Sequence, residues 1–257
     1  GDGDEVILNL QTDGFIYSEG LNDFRNLTIH TQNDSLMYVG SECSFENLVL
    51  ESDIYGFGSA TSISMENVIL DGTINLNYFN NSFSISPINI NNSEFNGLFI
   101  IEDPNQSGYT TNKIIHLDIN NSIFSDISDL SLPYEAGNYH NYVYFNITNS
   151  KLAGNVNLHC VPAESNNENV INNSILENAS LTISAESLSD PTRSRFDLIN
   201  CTFYNSTLST DCVPDGDFKN NIFWPNFSGV FHPTNSEHPI ISYSMNAPDS
   251  GPGNIFG

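Results

Sequence analysis

The side chains of this sequence that could do chemistry fall into three small groups. "DCVPDGDF" places Asp211, Asp215 and Asp217 close together beside a glycine. Oxygen ligands of this kind suit a hard cation, so the stretch is a calcium candidate, although it lacks the regular ligand spacing of an EF-hand loop. "LPYEAGNYHNYVYF" carries Tyr134, Tyr139 and Tyr142. Their rings suit stacking on a neutral glycan, and they suit equally well the plainer task of covering apolar surface. Asp118, Asp126 and Asp197 are the acids from which a glycoside hydrolase would need a spaced pair. None sits in a recognisable pairing, and isolated acids on strands and turns are ordinarily just solvated.

Which elements position these residues is set by an internal repeat. An apolar residue, any residue, an asparagine and three positions later another apolar residue recur at "FRNLTI", "FENLVL", "MENVIL", "INNSEF", "INNSIF", "ITNSKL", "INNSIL", "LINCTF" and "FKNNIF". The repeated asparagines are Asn26, Asn47, Asn67, Asn92, Asn121, Asn149, Asn173, Asn200 and Asn220, at intervals of 20 to 29 residues. A period in the twenties with one fixed phrase is the mark of a solenoid, in which each coil buries its apolar face only by stacking on its neighbours.

The period inside each unit is two. "VYFNITNS", "LTISAES", "NVNLHC" and "INLNYF" alternate apolar and polar residues, as half-buried strands do. No segment sustains a helical apolar stripe beyond two turns, which disfavours leucine-rich, ankyrin and tetratricopeptide arrays. The expected fold is all-β: a single-stranded parallel β-helix solenoid with about nine coils and an internal Asn ladder. Each repeated asparagine ends one strand and precedes another, and Asn tolerates the left-handed backbone a sharp bend requires. Strand alternation places it in the interior, where stacked amides would satisfy one another. These asparagines are therefore read as scaffold and not as catalysts.

The coil phrase with its asparagine ladder resembles the right-handed parallel β-helix superfamily, the pectin-lyase-like fold, over about residues 20–230. The right-handed sense is implied by that resemblance alone. The ending "ISYSMNAPDSGPGNIFG" is similar to the closing repeat of β-helix surface proteins of bacteria and archaea, which implies continuation into a longer polypeptide. The superfamily includes polysaccharide lyases and glycoside hydrolases, but fold does not carry function. A lyase of this kind would pair an Arg or Lys base with clustered calcium-holding acids. The chain's six basic residues, Arg25, Lys113, Lys151, Arg193, Arg195 and Lys219, have no such company in the sequence. The polygalacturonase-type motifs Asn-Thr-Asp, Asp-Asp, Gly-His-Gly and Arg-Ile-Lys are absent as well.

One domain is expected over 1–257, with an opening coil or cap at 1–22, repeat coils at 23–225 and a C-terminal cap or exit at 226–257. The formal net charge is −25, from 31 acidic and six basic residues. Such a surface repels nucleic acid and other polyanions. Its uncharged remainder, rich in Asn, Ser and Thr, suits an extracellular or cell-surface location. No apolar run is long enough to span a bilayer, so direct membrane insertion is not expected.

The four cysteines form no CxxC pair and no metal cluster. Cys160 and Cys212 each open a "CVP" tripeptide, 11 and 12 residues after Asn149 and Asn200. They occupy equivalent places two coils, or roughly 9.6 Å, apart. A disulfide between them would need loops to lean together, or Cys201 would have to take one partner's place. Cys43 is expected buried and free. Among the sequons, Asn91, Asn120 and Asn172 are expected to face solvent in a row, while Asn26 and Asn200 are placed inside.

These readings favour a non-catalytic structural or adhesive β-helix protein whose partners are other copies of itself or surface components. A carbohydrate-binding module using inter-coil loops and neutral glycans is the alternative, and a polysaccharide lyase or glycoside hydrolase comes third. No cofactor is required, calcium being the one candidate.

Overall fold

The computed structural model describes residues 6–10, 16–18, 22–31, 36–39, 42–51, 53–58, 62–79, 86–100, 113–125, 129–132, 141–160, 169–185, 193–194, 196–210, 213–214, 217–224, 227–231 and 241–242. Within them the chain is a parallel β-solenoid. Twenty-six strands join into one sheet, and every pairing between strands is parallel. One small separate pair, Arg193–Ser194 with Val213–Pro214, stands outside it.

Three faces wind repeatedly around a common interior. The first face holds the strand segments that precede the repeated asparagines. It begins at Asn22–Arg25 and continues through 43–46, 63–66, Ser86–Asn91, Lys113–Asn120, Asn141–Thr148, Asn169–Asn172 and Phe196–Ile199 to Phe218–Lys219. The second face follows the asparagines and includes Leu27–Thr31, Glu94–Phe95, Ile123–Phe124, Thr202–Tyr204 and Ile222–Phe223. The third includes Asp53–Gly58, Ile74–Phe79, Leu98–Ile100, Asp129–Leu132 and Thr207–Thr210.

The stack runs past the nine asparagine-marked rungs. Val6–Leu10 pairs with Leu27–Thr31, and Ile241–Ser242 pairs with Phe218–Lys219. The coils are thus not limited to nine, and the stretch expected to cap or exit the helix, 226–257, contributes Ser228–Phe231 and Ile241–Ser242 to the stack.

The interior consists of side-chain rows running along the stack. On the first face Phe45, Met65, Ile90, Ile119, Ile147, Ile171, Leu198 and Phe218 are register partners in succession, each at most 1% exposed. On the second face Phe95 stacks on Phe124 at 4.9 Å, and Phe203 on Phe223 at 5.1 Å. Each coil alone would leave its apolar row open to water. Stacking removes it, at about 1.5–3 kcal/mol for each large side chain fully buried, which is why the repeat must be iterated to be stable.

Candidate functional site

The repeated asparagines are the corners between the first and second faces. All nine have positive φ, from 49° at Asn121 and Asn173 to 56° at Asn67. Their side chains are linked from coil to coil: Asn67 Nδ2 donates to Asn47 Oδ1 at 2.8 Å, Asn121 to Asn92 at 2.5 Å and Asn173 to Asn149 at 2.7 Å. Elsewhere the ladder borrows a neighbour, as Asn92 donates to Glu66, Asn149 to Asn120 and Asn200 to Asn172.

The location of this ladder corrects the expectation of an internal one. All nine side chains are exposed. The left-handed residue interrupts the two-residue alternation, so two consecutive residues face outward at each corner. Phe45 is buried, Glu46 half-buried, Asn47 exposed and Leu48 buried. For the same reason Asn26 and Asn200 lie outside, whereas Asn91, Asn120 and Asn172, expected to face solvent, are half-buried. Asn120 and Asn172 each accept an amide hydrogen bond there.

The buried polar ladder is made instead by the residue after the asparagine. Ser93, Ser122, Ser150 and Ser174 are at most 4% exposed. Each accepts a backbone N–H from the preceding coil at 3.1 Å, as Ser93 N donates to Ser122 Oγ, and each returns its own proton to the carbonyl two residues before it. In the next coils Cys201 and Asn221 take the serine's place, Cys201 N donating to Asn221 Oδ1 at 2.8 Å. Three of the sequons, at Asn91, Asn120 and Asn172, therefore have their hydroxyl residue buried in this ladder.

A second corner lies five residues further on. Gly154, Asn178 and Asn205 have φ of 70°, 54° and 48°, and Asn205 Nδ2 donates to Asn178 Oδ1 at 2.7 Å. Ser206, one residue after Asn205 and 1% exposed, accepts Ala179 N at 3.0 Å. Sequence reading missed this corner because its phrase, "LENAS" and "FYNST", repeats only twice with asparagine.

Of the calcium candidates, Asp211 and Asp215 lie outside the described residues. Asp217 Oδ2 is 2.6 Å from Lys219 Nζ, and its backbone N–H donates to Asp197 Oδ1. Tyr134 and Tyr139 also lie outside the described residues, and Tyr142 enters the described strand Asn141–Thr148. Cys212 lies outside them. Cys160 closes the strand Lys151–Cys160, opposite Ala185. Cys43 and Cys201 are buried thiols. Burial pushes the Cys201 thiol up to about 11, opposed by hydrogen bonds with the Ser174 and Ile199 backbone.

Among the acids, Asp118 and Asp197 share one register row of the first face, with Asn146 and Val170 between them, but Asp118 is exposed whereas Asp197 is buried and not solvated as expected. Three rungs amount to about 14 Å of strand spacing, beyond the roughly 5–9.5 Å over which two carboxyls cooperate in glycoside hydrolysis. Asp126 lies outside the described residues. The exposed cations Arg25, Lys151 and Lys219 each contact a carboxylate within 2.7 Å: Asp23, Glu177 and Asp217. The hydrogen bond to Asp23, with the charges of Asp23 and Glu46, raises the Arg25 pKa further, the reverse of what a general base needs. Arg25 and Asp23 border a cleft of about 340 Å³ with Glu42, Ser44 and Ser64. Among the described residues no group of three or more His, Cys, Asp or Glu is gathered as metal ligands.

No protein-family profile, no curated protein sequence and no solved structure matches this chain.

Proposed function

We propose that this chain is a non-catalytic structural and adhesive β-helix protein of the cell exterior, which assembles through copies of itself or other surface components into fibres or a surface layer. The observation that carries this reading is the single sheet of 26 strands, into which the repeated residues are absorbed as corners and interior rows. A continuous parallel stack makes a stiff element whose strength comes from nearest-neighbour coils. In the same proposal the chain is a right-handed solenoid of the pectin-lyase-like kind, supported by the parallel faces and the asparagine bends.

The charge of −25 supports a solvated, polyanion-repelling exterior and an extracellular setting. Electron microscopy of the native source material beside the purified chain tests assembly. Regular filaments or sheets containing this chain are the expected result. Discrete short rods in both samples, with a monomer mass in sedimentation, would overturn it.

A further inference from the structure

On the second face, Tyr204 and Trp224 project outward from neighbouring rungs, one residue beyond the stacked pair Phe203 and Phe223. Both are 49% exposed. Ile175 on the adjoining rung is 47% exposed, and the half-buried Thr202 and Ile222 complete the strip. Large aromatic rings held open to water on rigid strands are costly to leave there and are suited to a partner with one apolar face and a hydroxylated rim.

Two further features narrow the partner. The strip lies between the two corners, so exposed amides flank it on both sides: Asn200 and Asn220 on one, Asn178 and Asn205 on the other. The charge is also locally cancelled. Along 175–177, 202–204 and 222–224 the only charged side chain is Glu177, and Lys151 Nζ holds it at 2.6 Å. On a chain of net charge −25 this is a neutral platform with amide donors and acceptors at its borders.

We infer that Tyr204 and Trp224 form a binding platform for a neutral polysaccharide, whose pyranose faces stack on the rings while its hydroxyls meet the corner amides. The platform stands independently of whether copies assemble.

Trp224 is the sole tryptophan, so its emission reports directly on the platform. The whole chain is titrated with soluble neutral glucans, mannans, xylans and galactans, and with polygalacturonate as the charged control. Expected are a saturable change in emission with at least one neutral polymer and none with polygalacturonate. In affinity gels Trp224→Ala and Tyr204→Ala should each weaken retention by about tenfold or more, and Trp224→Phe should largely keep it. Thermal melts of all three variants should match the parent, since the rings are half exposed. No emission change with any neutral polymer, or equal retention by Trp224→Ala, overturns the inference. So does an emission change that follows protein concentration and dimerisation in sedimentation, which would make the platform a contact between copies.

Discussion

Asn67 donates its side-chain amide to Asn47 across 2.8 Å while both backbones are left-handed, at φ of 56° and 55°. One residue type thus serves two purposes at the corners between the first and second faces. It accepts a conformation that costs most L-residues about 1–2 kcal/mol, and it links coil to coil. Because the side chains are exposed, water competes for the second purpose, and the first should dominate.

Substitutions at Asn149 separate the two. Asn149→Ala keeps neither and should cost about 1–2 kcal/mol, mostly from backbone strain at φ 52°. Asn149→Gly removes the amide but relieves the backbone, so it should cost less than about 1 kcal/mol. Urea unfolding of both variants decides the matter. Equal losses would mean that the amide ladder, and not the bend, is what stabilises the corner.

Ser122 is the opposite case, 1% exposed and fully engaged. Its Oγ accepts from Ser93 N at 3.1 Å and donates to Asn120 O at 2.9 Å. Ser122→Ala leaves the buried Ser93 N–H without its partner, while Asn120 O keeps the Asn92 N–H at 3.1 Å, and should cost roughly 1–3 kcal/mol for the one group orphaned. Ser122→Cys should be milder, because Cys201 already fills the equivalent place, its Sγ 3.3 Å from both Ile199 O and Ile171 O. The ranking Ala worse than Cys in denaturant midpoint is the check, and the reverse order would remove the buried serines from the account of stability.

Gly97 marks a close approach of two backbones. A Cβ built there would meet the Gly72 carbonyl oxygen at 1.9 Å, with no flexible side chain to give way. Gly97→Ala should therefore cost about 3 kcal/mol or more. Gly154→Asn should be tolerated, since Asn178 and Asn205 adopt the same left-handed bend in the following coils. Comparable melting points for the parent and Gly97→Ala would mean the two rungs can separate freely.

The corner residues also show what the sequence discloses. The recurring asparagine and the two-residue period announce parallel coils, because both follow from local backbone geometry. Alternation carried through Asn47 puts that residue inside, and the left-handed bend reverses the outcome by turning both Glu46 and Asn47 outward. The buried serines and the second corner at Asn178 and Asn205 escape notice because their roles exist only between coils. Tyr204 and Trp224 were invisible as a pair for the same reason: 20 residues part them in sequence, and one rung parts them in space.

The Cys201 thiol supplies a pH dependence with a definite sign. Burial is the main cause of its rise to about 11 from an ordinary value of 9.0. The unfolded chain therefore loses this proton first as pH climbs. The stabilisation from keeping the thiol neutral is fully present below about pH 9 and is lost as pH rises through about 11. Cys201→Ser removes the titrating group while keeping a donor and acceptor in the buried ladder. Between pH 8 and 11 the melting temperature of the parent should fall more steeply than that of Cys201→Ser, and the native parent should resist thiol alkylation at pH 8 until it is unfolded. Parallel melting curves together with rapid alkylation of the folded protein at Cys201 would show that the thiol is open to solvent and that the serine ladder does not continue through it.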